Sequence, residues 1–577
     1  MFPQAPVVDF SCPRTVCTCG AQLKVHKTQT KRVISLAGTF ICRQSLRRCD
    51  ACGRIFDDPA LRRWVAHRCN TAWDVVVFVG RRLFEDCRRI GQLRAELLAR
   101  DVCLSQSQIA KLGRKFILYL ALAHRQATPR IKQAMHLGGG YILHLDALHQ
   151  EDAPALMCGM DGIRRIVLAN LKLPSEHAEQ IIPFLEQLKS SYGEPLACVH
   201  DMGSGICKAV AAVFSGTREF ICHFHFLRDV GKDLLEPAYR KLRNCLRQHG
   251  ISTQLSALAR HARHGLEDQL KSASALAAAI AGGHPTADPT LMPRVAAYAL
   301  ALWCLQAKHS GDGYGFPFDR PLLELAKRLL SLIDWLPQIF KCLPGEKRSF
   351  IQLSRKVIEV VSDPVLEQSV EELNWRCQLF DQLRSHMRIA VAGGPNGLND
   401  DGSPASMNRI RHGVIKFRDQ LESQSKLATD PLCCKMAEQI DKYAEKLFAE
   451  PIQVQTPSGL ATVYPQRTNN LLEQLFRTVR RGHRQRTGDN SMRRRLQTML
   501  ADTPLVKNLA NPDYMKILLN GKPNLEELFA ELEINAAAND LLPDADADRI
   551  LPGFKQLARM PNLPDRILQL AEAAPVS

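Results

Sequence analysis

The chain has 577 residues, of which 45% are hydrophobic and 23% charged, and it carries a formal net charge of +17 at pH 7. This length allows several domains with separate cores, and the composition is that of a globular protein. The positive charge favours a polyanionic partner, with an anionic membrane surface as the second choice. The longest uncharged apolar run, Val295 to Ala307, is shorter than the roughly 18 residues of a membrane helix. The start shows no secretion signal, so we expect a cytoplasmic protein without a membrane span.

The cysteine-rich front, residues 1–58, is predicted to be a zinc ribbon. Six of the 19 cysteines lie within the first 52 residues, and two pairs of them are each followed by a glycine. Reduced thiolates in two such pairs are typical of a closed tetrahedral zinc site. The favoured ligands are Cys17, Cys19, Cys49 and Cys52. The first pair is irregular, however, and Cys12 could replace either of its members.

The segment between the two cysteine pairs is basic. No acidic residue occurs between Asp9 and Asp50. Together with the predicted zinc site, this indicates a metal-bound basic hairpin for DNA phosphates. The alternative is a set of free buried cysteines beside a solvated run of charge.

Residues 72–127 are predicted to be helical. Apolar periodicity marks helices over Val75 to Phe84 and Ile90 to Leu98, and Ser105 is a capping residue for a third helix. These proportions match a helix-turn-helix domain, although an ordinary helical bundle has the same periodicity. The third helix carries three candidate DNA-binding residues, Lys111, Arg114 and Lys115.

From residue 138 to 236 the pattern changes to strands and helices in alternation. Three short strands, a helix, a strand, a helix and a strand follow one another, which is the order of an RNase H-like sheet. Asp146 ends the first strand and Asp201 ends the fourth, and these two strands are neighbours in that fold. Two carboxylates close together repel each other unless a divalent cation lies between them, as in a two-metal site for phosphoryl transfer.

The remaining chain divides into three predicted parts. Residues 237–450 are mostly helical with glycine- and proline-rich loops, of which 392–404 is interpreted as an exposed linker. Residues 455–504 contain a basic helix that starts near Thr468, and residues 505–577 form a helical, more acidic tail. Asp544, Asp546 and Asp548 lack the glycine and glutamate of an EF-hand loop and are interpreted as a solvated turn.

Four sequence blocks occur in the order that one protein family uses. They are His144-Leu145-Asp146, Val199-His200-Asp201-Met202-Gly203, Phe220-Ile221-Cys222-His223-Phe224-His225-Phe226-Leu227 and Arg467-Thr468-Asn469-Asn470-Leu471-Leu472-Glu473. With these blocks the chain resembles the DDE transposases of bacterial insertion sequences, especially the Mutator-like branch with a helical insertion in an RNase H-like catalytic domain. The resemblance extends to about residue 500 and does not cover the tail. The irregular first cysteine pair departs from the family pattern.

The resemblance implies a multidomain α+β fold: a zinc ribbon, a helix-turn-helix domain, and an RNase H-like core interrupted by an all-helical insertion. It also implies that Glu473 is the third carboxylate, and that Asp146, Asp201 and Glu473 together bind two Mg²⁺ or Mn²⁺ ions for DNA cleavage and strand transfer. The implied partners are double-stranded DNA, as element ends and target, and further copies of the chain in a dimer or higher assembly. The same resemblance implies a cytoplasmic protein that associates with the bacterial nucleoid.

Around Glu473 the residues themselves support a DNA-facing helix. Asn470, Glu473 and Arg477 share one helical face at spacings of three and four. Eight arginines and one acid lie between Arg477 and Arg495, which predicts a cationic wall for a DNA phosphate. The candidate DNA-binding residues on this helix are Arg477, Arg480, Arg481, Arg484 and Arg486. Cys222, His225 and Asn470 are candidate accessory residues of the active site.

Three rival interpretations remain. An RNase H-like nuclease that only hydrolyses DNA would need the same carboxylates. A domesticated DNA-binding regulator without catalysis is disfavoured by the intact trio. A zinc-dependent hydrolase built on Cys222 and His225 lacks a general-base carboxylate in a motif.

Overall fold

The computed structural model describes residues 5–66, 69–283, 290–391 and 407–539. The predicted linker at 392–404 and the turn at Asp544 to Asp548 lie outside these residues. The described chain is mixed α and β, with helix predominating. Among its helices, none combines the length and the apolar character that crossing a bilayer requires.

The front of the chain is a four-stranded sheet. Its strands are β1 (Val7–Ser11), β2 (Leu23–Ser35), β3 (Gly38–Cys49) and β4 (Ile55–Phe56). Strand β3 pairs with β2 in an antiparallel hairpin, with β1 in parallel and with β4 at its end. Most side chains of β2 are exposed, and the small apolar cluster that includes Val33 and Cys42 is completed by Leu61 and Val65, beyond the sheet. So small a core needs another source of stability, such as a metal.

Helices follow the sheet. They are α1 (Pro59–Arg62), α2 (Trp73–Phe84), α3 (Ile90–Leu98) and α4 (Gln106–Leu137). Ser105 caps α4 as predicted: its Oγ accepts from the backbone N–H of Gln108 at 3.2 Å, and the Gln108 side chain accepts from the Ser105 N–H. Helix α4 continues for ten residues past residue 127, where the predicted helical segment ends. Its apolar face extends through Ile131 and Met135 into the core beneath the next sheet.

A five-stranded sheet forms the centre of the molecule. Its elements are β5 (Ile142–Leu148), β6 (Ala155–Asp161), β7 (Ile166–Leu173), α5 (Ala178–Tyr192), β8 (Ala197–His200), α6 (Ser204–Val213) and β9 (Arg218–Ile221). The strand order is β7-β6-β5-β8-β9. The first three strands pair antiparallel, whereas β8 is parallel to both β5 and β9. The predicted adjacency of the first and fourth strands is therefore confirmed.

A helical insertion follows β9. It comprises α7 (His223–Gln248), α8 (Ile251–His264), α9 (Leu270–Gly282), α10 (Met292–Gln306), α11 (Pro321–Cys342), α12 (Arg348–Val361), α13 (Pro364–Met387), α14 (Met407–Ser423), α15 (Ser425–Ala428) and α16 (Pro431–Leu447). Apart from α9, which packs in a smaller cluster, these helices share a core of their own. The predicted boundary at residues 236/237 falls within α7, which runs through Pro237. Buried Leu234 and Leu242 continue one apolar face across the proline.

The chain then returns to the central sheet. The returning elements are β10 (Ile452–Thr456), β11 (Gly459–Val463), α17 (Asn470–Thr487), α18 (Arg493–Thr498), α19 (Pro512–Leu519) and α20 (Leu525–Asn539), with a 3-10 helix at Thr503–Ala510 between α18 and α19. As far as Leu532, residues of the predicted tail belong to the central core. Asn508 pairs with the backbone of Val167 in both directions at 2.8 Å, which covers the outer edge of β7. Phe529 packs against Trp73 and Phe116.

Candidate active site

Two aspartates lie near the carboxyl ends of two neighbouring strands in the central sheet. Asp146 lies on β5, and Asp201 is the first residue after β8. The two strands are parallel neighbours in which His144 pairs with Val199. Two residues further along the same register, Asp146 comes level with Asp201. The two carboxylates predicted from the sequence are thus brought to the same place by strand pairing alone.

The surroundings of Asp146 are unfavourable for a charge without a counter-ion. Its side chain is buried, with one oxygen accepting from the Ala147 backbone N–H at 2.8 Å. Burial, followed by the charges of Asp201, Glu473 and Glu176, raises the pKa of Asp146 to about 8. The Asp201 carboxylate accepts from the Gly203 backbone N–H at 3.0 Å. Asp146 therefore lies in the combined field of the Asp201, Glu473 and Glu176 carboxylates.

Helix α17 places Glu473 beside the aspartates, and Asn469 at its start fixes the helix to β5. The Asn469 side chain is fully buried, donates to the Leu145 carbonyl at 2.6 Å and bonds the His144 Nδ1 at 2.9 Å. Its own backbone N–H donates to the Cys222 thiol at 3.2 Å. Glu473 follows one helical turn later, its N–H bonded to the Asn469 carbonyl at 3.1 Å. Burial raises the pKa of Glu473, which nearby Arg228 and Arg477 oppose.

The three candidate accessory residues of the active site make different contacts. Cys222 is buried and its thiol supports the backbone of Asn469, which is a structural contact. His225 lies with its Nε2 3.7 Å from a Glu473 oxygen, and burial lowers the pKa of His225 to about 4. Asn470 is half-buried and makes no side-chain hydrogen bond within the described residues. The asparagine that docks the helix is Asn469, which the sequence prediction missed.

A signal for Asn469 was present in the sequence. Asn469, Leu472 and Phe476 fall on the buried face of α17, at spacings of three and four, whereas Asn470, Glu473 and Arg477 form the face beside it. An asparagine on an apolar face must find hydrogen-bond partners, so its position predicts a docking role.

Two further residues near Asp146 were also missed. His149 pairs with Glu176, and the charge of Glu176 reaches Asp146. Both side chains are partly exposed, at 54% and 38%. His149 follows Asp146 by three residues, but nothing in the sequence marked Glu176.

A buried network supports the backbone behind Asp201. The His200 Nδ1 bonds the Asp201 carbonyl at 2.6 Å, and the His200 Nε2 lies 3.2 Å from a Glu219 oxygen. Lys446, at the end of α16, donates to the same Glu219 oxygen at 2.7 Å. Burial alone would lower the pKa of His200, but hydrogen bonds to Cys207 and Glu219 raise it to about 9. The helical insertion thus contacts Glu219 on β9, which in turn faces His200, the residue before Asp201.

The predicted cationic wall has an exposed part and a buried part. The exposed arginines of α17 are Arg477, Arg480, Arg481 and Arg484. Arg486 instead lies over the Phe84 ring at 5.5 Å, and burial lowers its pKa. Burial, together with the charges of Arg486 and Arg114, lowers the pKa of Arg495 to about 10. Helices α4, α17 and α18 therefore contribute arginines to one positively charged region.

The three basic candidates on α4 are not equivalent. Lys111 and Arg114 are exposed. Lys115 donates to the Cys69 thiol at 2.9 Å, and its ammonium lies over the rings of Trp73 and Tyr119. Lys115 is thus engaged inside the protein.

The four favoured cysteines come together at the base of the β2–β3 hairpin, as predicted. The thiols of Cys17 and Cys52 are 3.5 Å apart, as are those of Cys19 and Cys49, and all four lie within 4.8 Å of one another. Ligands around a tetrahedral zinc ion are separated by about 3.8 Å for Zn–S bonds of about 2.3 Å. This cluster could hold a structural metal such as zinc. Cys12 is not part of it, since its thiol faces the Arg14 carbonyl.

The glycines after the two cysteine pairs lie in tight turns. Gly20 and Gly53 have positive φ values of 87° and 72°. Their N–H groups donate to the carbonyls of Cys17 and Cys49, at 3.0 and 2.9 Å. Such turns require a backbone conformation that glycine adopts without strain.

The carboxylate trio is more open than the cysteine cluster. One carboxylate oxygen taken from each of its three residues does not give a group that lies within 4.8 Å, whereas the four cysteine sulfurs do lie within that distance of one another. Its donors are all oxygen, which Mg²⁺ and Mn²⁺ prefer.

No protein-family model matches the chain, and no curated protein matches it.

Proposed function

We propose that the chain is a DDE-type DNA transposase whose catalytic core is the five-stranded sheet with α17. The observation that carries this proposal is the docking of α17 by Asn469. It brings Glu473 beside Asp146 and Asp201, although Glu473 follows Asp201 by 272 residues and a complete helical insertion. Strand order β7-β6-β5-β8-β9 with an antiparallel second strand is the order expected of an RNase H-like core.

Asp146, Asp201 and Glu473 would hold two Mg²⁺ or Mn²⁺ ions. The fit is supported by the all-oxygen donor set and by the crowding of carboxylates that raises the pKa of Asp146. When bound, such ions activate a water or a DNA 3′-hydroxyl and neutralise charge on the phosphate and the leaving oxygen. The residues of the chain position these donors: Gly203 orients the Asp201 carboxylate, and Asn469 fixes the turn that carries Glu473.

The basic residues around this site would bind the DNA backbone. Exposed arginines of α17 begin one turn after Glu473, so a phosphate held by them lies next to the carboxylates. His225 lies beside Glu473, with its Nε2 3.7 Å from a Glu473 oxygen, and burial lowers the pKa of His225 to about 4. No nucleophilic side chain is required, because the attacking group is water or a DNA end.

The front of the chain would recognise the element ends. The β2–β3 hairpin exposes most of its basic side chains, and Lys111 and Arg114 are exposed on α4. Sequence preference would come from base-edge contacts of these elements, whereas the arginines of α17 would bind any duplex. The proposed assembly on DNA is a dimer or higher oligomer.

The test is incubation of the purified protein with candidate element ends and Mg²⁺, followed by separation of nicked and joined strands. The proposal predicts nicks at the element ends and joined products that contain target DNA. Nicks without joined products would indicate a nuclease, and binding without cleavage would indicate a regulator. Asp146→Asn and Asp201→Asn should bind the ends as the unmodified protein does and yield neither product.

A further inference from the structure

A second cluster of metal-ligating side chains lies in the helical insertion, at the C-terminal end of α7. Cys245 and His249 are four residues apart and share one face of that helix, and both reach Asp363, the residue that caps α13. The His249 Nε2 is 2.9 Å from the Asp363 Oδ2, and the Cys245 thiol is 3.6 Å from the same oxygen. One ligand atom from each residue lies within 4.8 Å of the other two.

The two carboxylate oxygens of Asp363 make different contacts. The Oδ1 accepts from the Val365 backbone N–H at 2.9 Å, which caps α13. The Oδ2 faces Cys245 and His249. The donor set is therefore one thiolate, one imidazole and one carboxylate oxygen around a common point.

This donor set selects the kind of metal. Thiolate and imidazole ligands suit zinc and other borderline ions, whereas Mg²⁺ and Ca²⁺ prefer oxygen alone. Around a tetrahedral zinc ion, ligand atoms of these types are separated by about 3.3–3.6 Å. The Cys245–Asp363 separation already fits this range, and the His249–Asp363 pair has to open by a few tenths of an ångström.

The site has an entry from solvent. The Cys245 side chain is buried, but those of His249 and Asp363 are 21% and 23% exposed. A hydrated ion can therefore reach the cluster from one side and retain a water as its fourth ligand.

The similar cluster behind Asp201 lacks this property. There His200 and Cys207 surround Glu219, but the Lys446 ammonium already lies 2.7 Å from the Glu219 carboxylate and supplies its counter-charge. Within the described residues, no lysine or arginine forms an ion pair with Asp363. A cation is thus accommodated at Asp363 more readily than at Glu219.

We propose that Cys245, His249 and Asp363 form a second zinc site that joins the last turn of α7 to the first turn of α13. Helix α7 begins beside the candidate active site, where His225 contacts Glu473. The zinc would fix the distal end of the same helix and so the orientation of the insertion. This proposal does not depend on the transposase proposal, because it concerns a metal site remote from the carboxylates.

The test measures zinc bound per chain in the full-length protein after zinc loading and dialysis. The background is the double variant Cys49→Ser, Cys52→Ser, which removes thiolates of the front cluster. This background should retain one equivalent of zinc, and adding Cys245→Ser should remove it. The matched control is Cys304→Ser, which changes another buried cysteine of the insertion.

A second variant separates metal loss from misfolding. Asparagine caps helices as well as aspartate does, so Asp363→Asn should keep the helical circular dichroism and still lose the zinc. With Co²⁺ in place of zinc, the background should show a thiolate charge-transfer band that Cys245→Ser abolishes and Cys304→Ser keeps. Equal zinc content in Cys245→Ser, Asp363→Asn and the control would overturn the proposal and leave a hydrogen-bonded helix cap.

Discussion

Replacing Asn469 with alanine should weaken the attachment of α17 to the central sheet. The change removes the hydrogen bond to the Leu145 carbonyl and the one to the His144 Nδ1, both in buried surroundings. Each buried polar group left without a partner costs about 1–3 kcal/mol, so the loss expected for two such groups is about 2–6 kcal/mol of unfolding free energy. The matched control is Asn470→Ala, a half-buried neighbour for which a change of less than about 0.5 kcal/mol is expected.

The stability measurement is a urea titration followed by tryptophan fluorescence, because buried Trp73 belongs to the same core as β5 and α17. Metal-dependent DNA cleavage should also fall, by about 100-fold, since a shift of about 1 Å in a catalytic group has an effect of that size. If Asn469→Ala and Asn470→Ala differed by less than about 0.5 kcal/mol and cleaved DNA equally well, the proposed docking of Glu473 would be refuted.

Three further predictions concern other parts of the molecule. Because its pKa is raised to about 8, Asp146 should make the metal-free protein less stable as pH rises from about 4 to about 8. This decrease should be absent when the thermal stability of Asp146→Asn is measured over the same pH range. An identical decrease in the variant would contradict the assigned environment of Asp146. Cys49→Ser should release zinc and expose the front sheet to protease, whereas Cys12→Ser should do neither; equal effects would contradict the ligand set. Replacing three exposed arginines of α17 with glutamine should reduce the salt slope of binding by about one per lost phosphate contact, for specific and random duplexes alike, and an unchanged slope would remove them from the DNA surface. The three are Arg480, Arg481 and Arg484.

The sequence predicted well what depends on local pattern. Strand-length apolar runs located β5 and β8, although β5 continues two residues beyond Asp146 and β8 ends one residue before Asp201. Glycines after the cysteine pairs marked the turns at Gly20 and Gly53, and Ser105 marked the start of α4. Each of these features is determined by a few neighbouring residues, and such signals are readable without the fold.

Contacts between distant segments were harder to predict. The end of α4 was missed because its apolar face continues from one packing partner to another without a break. The predicted boundary at residues 236/237 falls within α7, because buried residues on both sides of Pro237 continue one apolar face. Asn469 was overlooked because its partners, Leu145 and His144, lie more than 300 residues away along the chain. The sequence predicted Lys115 to be a DNA-binding residue, whereas its ammonium contacts Cys69 and Trp73.

The most direct test of the central claim compares Glu473 with Glu176, the other glutamate whose charge reaches Asp146. Strand cleavage at element ends would be measured with Mg²⁺ and with Mn²⁺ for the unmodified protein, Glu473→Gln and Glu176→Gln, with DNA binding followed in parallel. If Asp146, Asp201 and Glu473 form the metal-binding trio, Glu473→Gln abolishes cleavage while DNA binding persists, and Glu176→Gln retains cleavage. Full cleavage by Glu473→Gln, with loss in Glu176→Gln, would contradict the assignment and move the third carboxylate to the segment before α5.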